Sequence, residues 1–219
     1  MRLTLLVFVT LAALALPTAA NARPEGWYLG IGGGWTSLAS VNYAIAPPAP
    51  PLHSKVDFDD NGTFGASVGY RFAIPLRVEA DFGFADYRAN FLRPLGQPGS
   101  AVGGGISTAS FVTSAIYDIP VWRQLSFSLG FGLGAAEIDP TIRDPLGTHI
   151  NDPQMAFTWR AISGFTVALS DNLELQLDYR YQEIGGSSHT ALNAASPVNL
   201  GIKHVQSALA SLRWYVDIQ

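Results

Sequence analysis

The chain has 219 residues, of which 48% are hydrophobic and only 14% charged, where soluble domains carry about 25% charged residues. The absence of cysteine excludes disulfide scaffolds, thiolate metal sites and cysteine nucleophiles. A net charge of −4, with Lys55 and Lys203 as the only lysines and no basic run, leaves no footprint for a nucleic-acid partner.

The chain opens with Arg2, an apolar run from Leu3 to Leu16, Pro17, and the small-x-small triplet Ala20-Asn21-Ala22. That order of charge, grease and small residues is the layout of a secretory signal peptide over residues 1–22, cut near Ala22. The run is shorter than the ~20 residues a spanning helix needs. No cysteine follows the cut, so no lipoprotein anchor is expected. Residues 23–219 then form one domain.

From residue 25 onward the sequence repeats with period two, the spacing of a strand with two chemically different faces. Trp27, Leu29, Ile31 and Trp35 alternate with Tyr28, Gly30, Gly32 and Gly34. Phe64, Ala66, Val68, Tyr70 and Phe72 alternate with Thr63, Gly65, Ser67, Gly69 and Arg71. Leu76, Val78, Ala80, Phe82 and Phe84 alternate with Arg77, Glu79, Asp81 and Gly83. Around 111–119, Phe111, Ala115, Tyr117 and Ile119 oppose Ser114, Ile116 and Asp118. Leu125, Phe127, Leu129, Phe131, Leu133 and Ala135 oppose Ser126, Ser128, Gly130, Gly132 and Gly134. Phe157, Trp159, Ala161, Phe165 and Val167 oppose Thr158, Arg160, Gly164 and Thr166. Leu173, Leu175, Leu177, Tyr179 and Tyr181 oppose Glu174, Gln176, Asp178 and Arg180. Last, Ala210, Leu212, Trp214 and Val216 oppose Ser211, Arg213 and Tyr215. A helix would scatter these charges round its circumference, so the helical reading fails.

The connections sort by length. Three are tight: 73–75, 120–124 and 170–172. Four are long and rich in Pro, Gly, Asn and Asp: roughly 38–61, 88–105, 137–154 and 185–199. Eight strands with short turns at one end and long loops at the other predict an all-β fold. It is an eight-stranded, antiparallel, up-and-down transmembrane β-barrel with periplasmic turns and extracellular loops. Tyr70, Phe72, Tyr117, Trp122, Trp214 and Tyr215 fall near the short-turn end. Trp35, Phe84, Tyr87, Phe91, Phe157, Trp159 and Tyr181 fall near the long loops. They are expected as two interfacial girdles.

The greasy face of such a barrel meets lipid, so the polar face turns inward. That places Arg71, Arg77, Arg160, Arg180 and Arg213 in the lumen with Glu79, Asp81, Asp118, Glu174 and Asp178. Five charges of each sign balance, and an eight-stranded barrel is just wide enough for side chains to fill. The expectation is a lumen plugged by a structural ion-pair network, since paired buried charges are tolerated where isolated ones are not.

Other motifs are weak. Gly130 to Ala135 matches a relaxed dinucleotide pattern but opens no helix. Asp57-Phe58-Asp59-Asp60-Asn61-Gly62 resembles the start of a calcium loop, yet Val68 stands where the bidentate glutamate belongs. Ser188-His189 lies in a small-residue loop without an identifiable acid partner. His53, His149 and His204 lack metal-ligand spacing. No cofactor, metal site or catalytic residue is assigned.

Three segments, Gly26 to Trp35, Gly65 to Arg71 and Ser170 to Tyr181, resemble the small outer-membrane β-barrel family. That family includes opacity-type porins, the 25/31 kDa alphaproteobacterial surface antigens and the barrel domain of outer membrane protein A. The resemblance covers essentially the whole of 23–219. It implies location in the outer membrane and contact with outer-membrane lipids. It also implies delivery by periplasmic chaperones and the barrel insertion machinery, and roles from envelope integrity to adhesion. The family usually ends in an aromatic residue. Here Val216 stands in its place, followed by Asp217, Ile218 and Gln219, so the insertion signal is expected to be weaker or to be read internally from Trp214. The function expected is structural or surface-interacting, with the loops free to bind a surface ligand. A weakly conducting small-solute porin is the alternative, and a lipid-modifying enzyme using His189 the long shot.

Overall fold

A computed structural model describes residues 25–45, 52–94, 100–101, 103–141, 151–190 and 198–216. The expected signal peptide lies outside the described residues. The strands are β1 (Gly26–Leu38), β2 (Val41–Ile45), β3 (Leu52–Phe58), β4 (Asn61–Arg71), β5 (Leu76–Pro94), β6 (Ser100–Ala101) and β7 (Gly105–Pro120). They continue with β8 (Leu125–Pro140), β9 (Gln154–Ala168), β10 (Leu173–Ile184), β11 (Ser187–His189), β12 (Val198–Leu200) and β13 (Lys203–Val216).

Eight of them close a ring. β1 pairs with β4 on one side and β13 on the other, so Trp27 sits between Tyr70 and Val216. The circuit runs on through β4–β5, β5–β7, β7–β8, β8–β9, β9–β10 and β10–β13, all antiparallel. Closure satisfies every strand edge internally, which the hydrocarbon interior demands. The three short connections are tied off by Phe72 N–H to Leu76 O (3.0 Å), Val121 N–H to Leu125 O (2.9 Å) and Leu169 N–H to Leu173 O (2.8 Å).

Within the ring, most apolar residues face out, while Val112, Ile116 and Ile162 are buried on the inward side. Ile31, Phe64, Phe131 and Leu177 all expose half or more of their surface, a state that only a lipid surround makes favourable. Their polar neighbours in sequence are buried.

The four long connections are not simply loops. β2 prolongs β1 past Ala39-Ser40, β3 leads into β4 past Asp59-Asp60, β11 prolongs β10 past Gly185-Gly186, and β12 leads into β13 past Gly201-Ile202. The same neighbours stay paired across these breaks: Leu38 faces Val205, and higher up Tyr43 faces Leu200. β5 and β8 run on unbroken to Pro94 and Pro140. The barrel wall therefore rises well beyond the apolar band, because extended backbone in water still lowers its free energy by completing the ladder.

Above the band the two faces exchange chemistry. Leu38, Val41, Val56, Ile106, Ile138, Ile184, Val198, Leu200 and Val205 now point inward and pack as one buried apolar core. Asp86, Arg88, Asn90, Glu137 and Gln206 point outward and are exposed. Parity carries straight through β7 and β8 and slips by one at the breaks, as from Leu38 to Val41 and from Leu200 to Lys203; what changes in every strand is the solvent outside. Lipid favours grease outside, and water favours it inside.

Candidate functional site: the charged lumen

Strand pleat delivers alternate residues to the lumen, and the register decides which of them meet. All ten charged residues expected in the lumen are buried. At the short-turn end, the Arg71 guanidinium bridges Glu174, through Nη1 and through Nη2 (3.1 Å to Oε2), and Asp118 (2.8 Å). Arg77 is fully buried. It donates to Asp118 (3.0 Å), Glu79 (3.1 Å), Gln176 Oε1 (3.1 Å) and the Tyr28 hydroxyl (3.3 Å). Arg213 reaches Glu79 at 3.2 Å.

Side chains outside the ten complete this cluster. Tyr28 donates to Glu79 (2.9 Å), Tyr215 to Glu174 (3.1 Å) and Ser128 to Asp118 (2.6 Å), with Thr166 next to Ser128 (3.0 Å). Arg71 lies over the Tyr215 ring (5.2 Å) and Arg213 over the Tyr28 ring (5.4 Å). Tyr28 needs room: a Cβ at Gly69, its register partner, would run into the phenol ring. Higher up, Asp81 takes Arg160 (2.9 Å) and Arg180 (3.0 Å), and Arg180 also holds Asp178. The two clusters draw on β1, β4, β5, β7, β8, β9, β10 and β13, all eight strands of the ring.

Tyr215 and Tyr87, expected in the aromatic girdles, are both buried inside the barrel. Proximity to a strand end marks height along the wall; parity marks the side, and both residues have inward parity. The same test finds Tyr28, Gln176, Ser128 and Thr166 as members of the network.

Between the upper charge cluster and the apolar core lies a cavity of about 60 Å³, lined in part by Thr36, Ser67, Asp81, Arg160, Arg180 and Ser207. Arg160 Nε and Nη2 have no hydrogen-bond partner among the described residues. A polar void of this size has room for a few ordered waters at about 10–15 Å³ each.

The remaining motifs resolve as follows. The Gly130 to Ala135 segment lies inside β8, where inward glycines make room for neighbouring side chains. Asp57 accepts from Ser40 (2.7 Å) and pairs with Arg93 (2.7 Å), and Asp59 accepts from Asn90 (2.9 Å). These carboxylates pin strand tops together. His204 contacts the Tyr181 hydroxyl at 2.8 Å. His53 shows no described side chain, and His149 lies outside the described residues. Ser188 is exposed, and it is Ser187 that meets His189 (2.7 Å). Parity explains the difference: residues two apart on a strand share a face, and adjacent ones do not. Above the membrane band, burial lowers the Lys203 amine to about 8, and burial also lowers the His189 imidazole.

The family model described as "Outer membrane protein beta-barrel domain" matches residues 6–202. No curated protein matches the sequence. Among solved structures, outer membrane protein OprG from Pseudomonas aeruginosa is similar with a TM-score of 0.65 and 13% identity, over 90% of this chain and 100% of that one. Neisserial surface protein A is similar with a TM-score of 0.53 and 17% identity, over 88% and 98%. The Escherichia coli outer membrane protease OmpT is similar with a TM-score of 0.54 and 8% identity, over 88% and 97%. At such identities the likeness is one of fold, and it spans surface, membrane and protease proteins alike. With a closed eight-stranded ring, a lipid-facing apolar band and a family match over most of its length, the chain belongs to the outer-membrane β-barrel family, and its place is the bacterial outer membrane.

Proposed function

We propose that this protein is a sealed, structural barrel of the outer membrane whose raised wall and loops serve surface interaction, with no conducted solute. The observation that supports this most is the lumen network, whose ten charges lie on six strands and which reaches all eight through Tyr28 of β1 and Ser128 of β8. Above it, the apolar core fills the mouth. An ion crossing the barrel would have to displace paired buried charges and then enter an apolar plug, and each step is costly. The charges act as internal cross-braces. Outer-membrane lipids cover the apolar band, and the insertion machinery and periplasmic chaperones deliver the chain.

The competing reading, a small-solute porin, draws on the cavity beside Arg160 and Arg180. A planar-bilayer recording of the purified, folded protein separates the two. No steady current steps are expected at neutral pH and moderate salt. Large, long-lived steps would overturn the sealed reading and favour a pore through that cavity.

A further inference from the structure

Away from the lumen charges, two side chains converge on one hydroxyl at the extracellular rim. Ser187 and His189 share a face of β11, and Ser187 Oγ lies 2.7 Å from His189 Nε2. His189 Nδ1 lies 2.7 Å from the backbone carbonyl oxygen of Asp152. A carbonyl only accepts, so Nδ1 carries the proton and Nε2 is left bare to take the Ser187 proton. Asp152 is itself fastened to β11, since its carboxylate accepts the Thr190 N–H at 2.8 Å.

On the other side, Lys203 Nζ donates to Ser187 Oγ at 3.0 Å and to the carbonyls of Gly201 (3.1 Å) and Gly185 (3.4 Å). Lys203 and His189 are each 1% exposed, while Ser187 is only part-buried. Base and cation are held inside the wall, and the residue that carries the hydroxyl keeps part of its surface exposed. This is the order of a nucleophile, a base, and a group that orients the base.

We propose that Ser187 is a nucleophile toward carboxylic esters arriving from outside the cell, with His189 as its general base and Lys203 as the cation beside the developing oxyanion. Ser187 Oγ bonds to the ester carbonyl carbon as its proton passes to His189 Nε2. The tetrahedral oxyanion collapses, the carbon–oxygen bond to the alcohol breaks, and the alcohol leaves with the proton from His189. Water then attacks the acyl-Ser187 carbon and gives up a proton to His189. The carboxylic acid departs, and that proton returns to Ser187. The lowered His189 basicity keeps the imidazole neutral at neutral pH, ready to accept. The charges facing it are Lys203, Asp152 and Asp139.

The test uses the full folded barrel in detergent micelles, treated with a fluorophosphonate and mapped by mass spectrometry. A single adduct on Ser187 is expected. It should vanish in Ser187→Ala, form roughly 100-fold more slowly in His189→Gln, and persist in Ser188→Ala. Hydrolysis of p-nitrophenyl acetate should follow the same ranking and fall away as pH drops through the imidazole range. Folding of each variant is checked by its thermal transition. A folded wild-type barrel with Ser187 unlabelled, or a folded His189→Gln barrel labelled at the wild-type rate, would overturn the proposal.

Discussion

Arg71 and Glu174 meet as a two-pronged pair across the lumen, although β4 and β10 are separated in the ring by β1 and β13. The contact is therefore a strut across the cylinder and adds a constraint that the backbone ladder alone does not supply.

Removing one end of that strut leaves the other charge buried and under-compensated: Arg71 would keep Asp118, and Glu174 the Tyr215 hydroxyl, without the two-pronged pair. Arg71→Ala or Glu174→Ala should each destabilise the barrel by about 3–5 kcal/mol. Replacing both by methionine should cost less than either single change, because no orphan charge remains. Urea unfolding in lipid vesicles, followed by tryptophan fluorescence, measures this. A double variant as damaged as the sum of the singles would count against the strut.

One strand holds both chemical regimes. Leu129 on β8 faces lipid, and Ile138, nine positions on, faces the apolar core of the raised wall. Leu129→Arg should cost about 2–4 kcal/mol through the bilayer. Ile138→Arg should loosen the upper wall by about 3 kcal/mol or more through an unpaired buried charge. Glu137→Arg, exposed beside it, should stay within about 0.5 kcal/mol. Unfolding in vesicles reports the first, and protease cleavage of the extracellular region separates the second from the third.

Lys203 titrates near 8 when folded and near 10.5 when free. Between these values the opened hairpin holds a proton that the closed one has released. Rising pH therefore favours the closed form in this window, by at most about 1.4 kcal/mol per unit. Below about 8 both forms are charged, and above 10.5 both are neutral, so the trend stops at each end. Hydrogen exchange at the amides of β11 and β12, corrected for its intrinsic pH dependence, should show the rise. Lys203→Met should flatten it.

Much of the barrel was legible because its rule is one-dimensional. In Leu173 to Tyr181, every other residue is greasy and the rest are polar or charged, so the side facing lipid follows from parity alone. Parity likewise marks Glu174, Asp178 and Arg180 as interior. It says nothing of partners: Arg77 sits two residues from Glu79, and only the shear of the closed ring brings in Asp118, Gln176 and Tyr28 as well.

The raised wall was illegible for the same reason. Residues such as Leu38, Ile106 and Ile138 keep the inward parity of their strands, but their chemistry is inverted. A search for greasy-outside alternation therefore stops at the membrane boundary and reads the rest as loop. Ser187 and His189 belong with them, since pairing a hydroxyl with the right imidazole needs the strand between them to exist.

By itself, then, the sequence determined the period, the number of spanning strands and the inventory of lumen charges, because alternation along a strand is a local property. The tertiary structure alone decided which charges pair, where the wall turns from lipid to water, and that Lys203 and His189 share a hydroxyl. Those depend on register between strands distant in the chain, and register is set only when the ring closes.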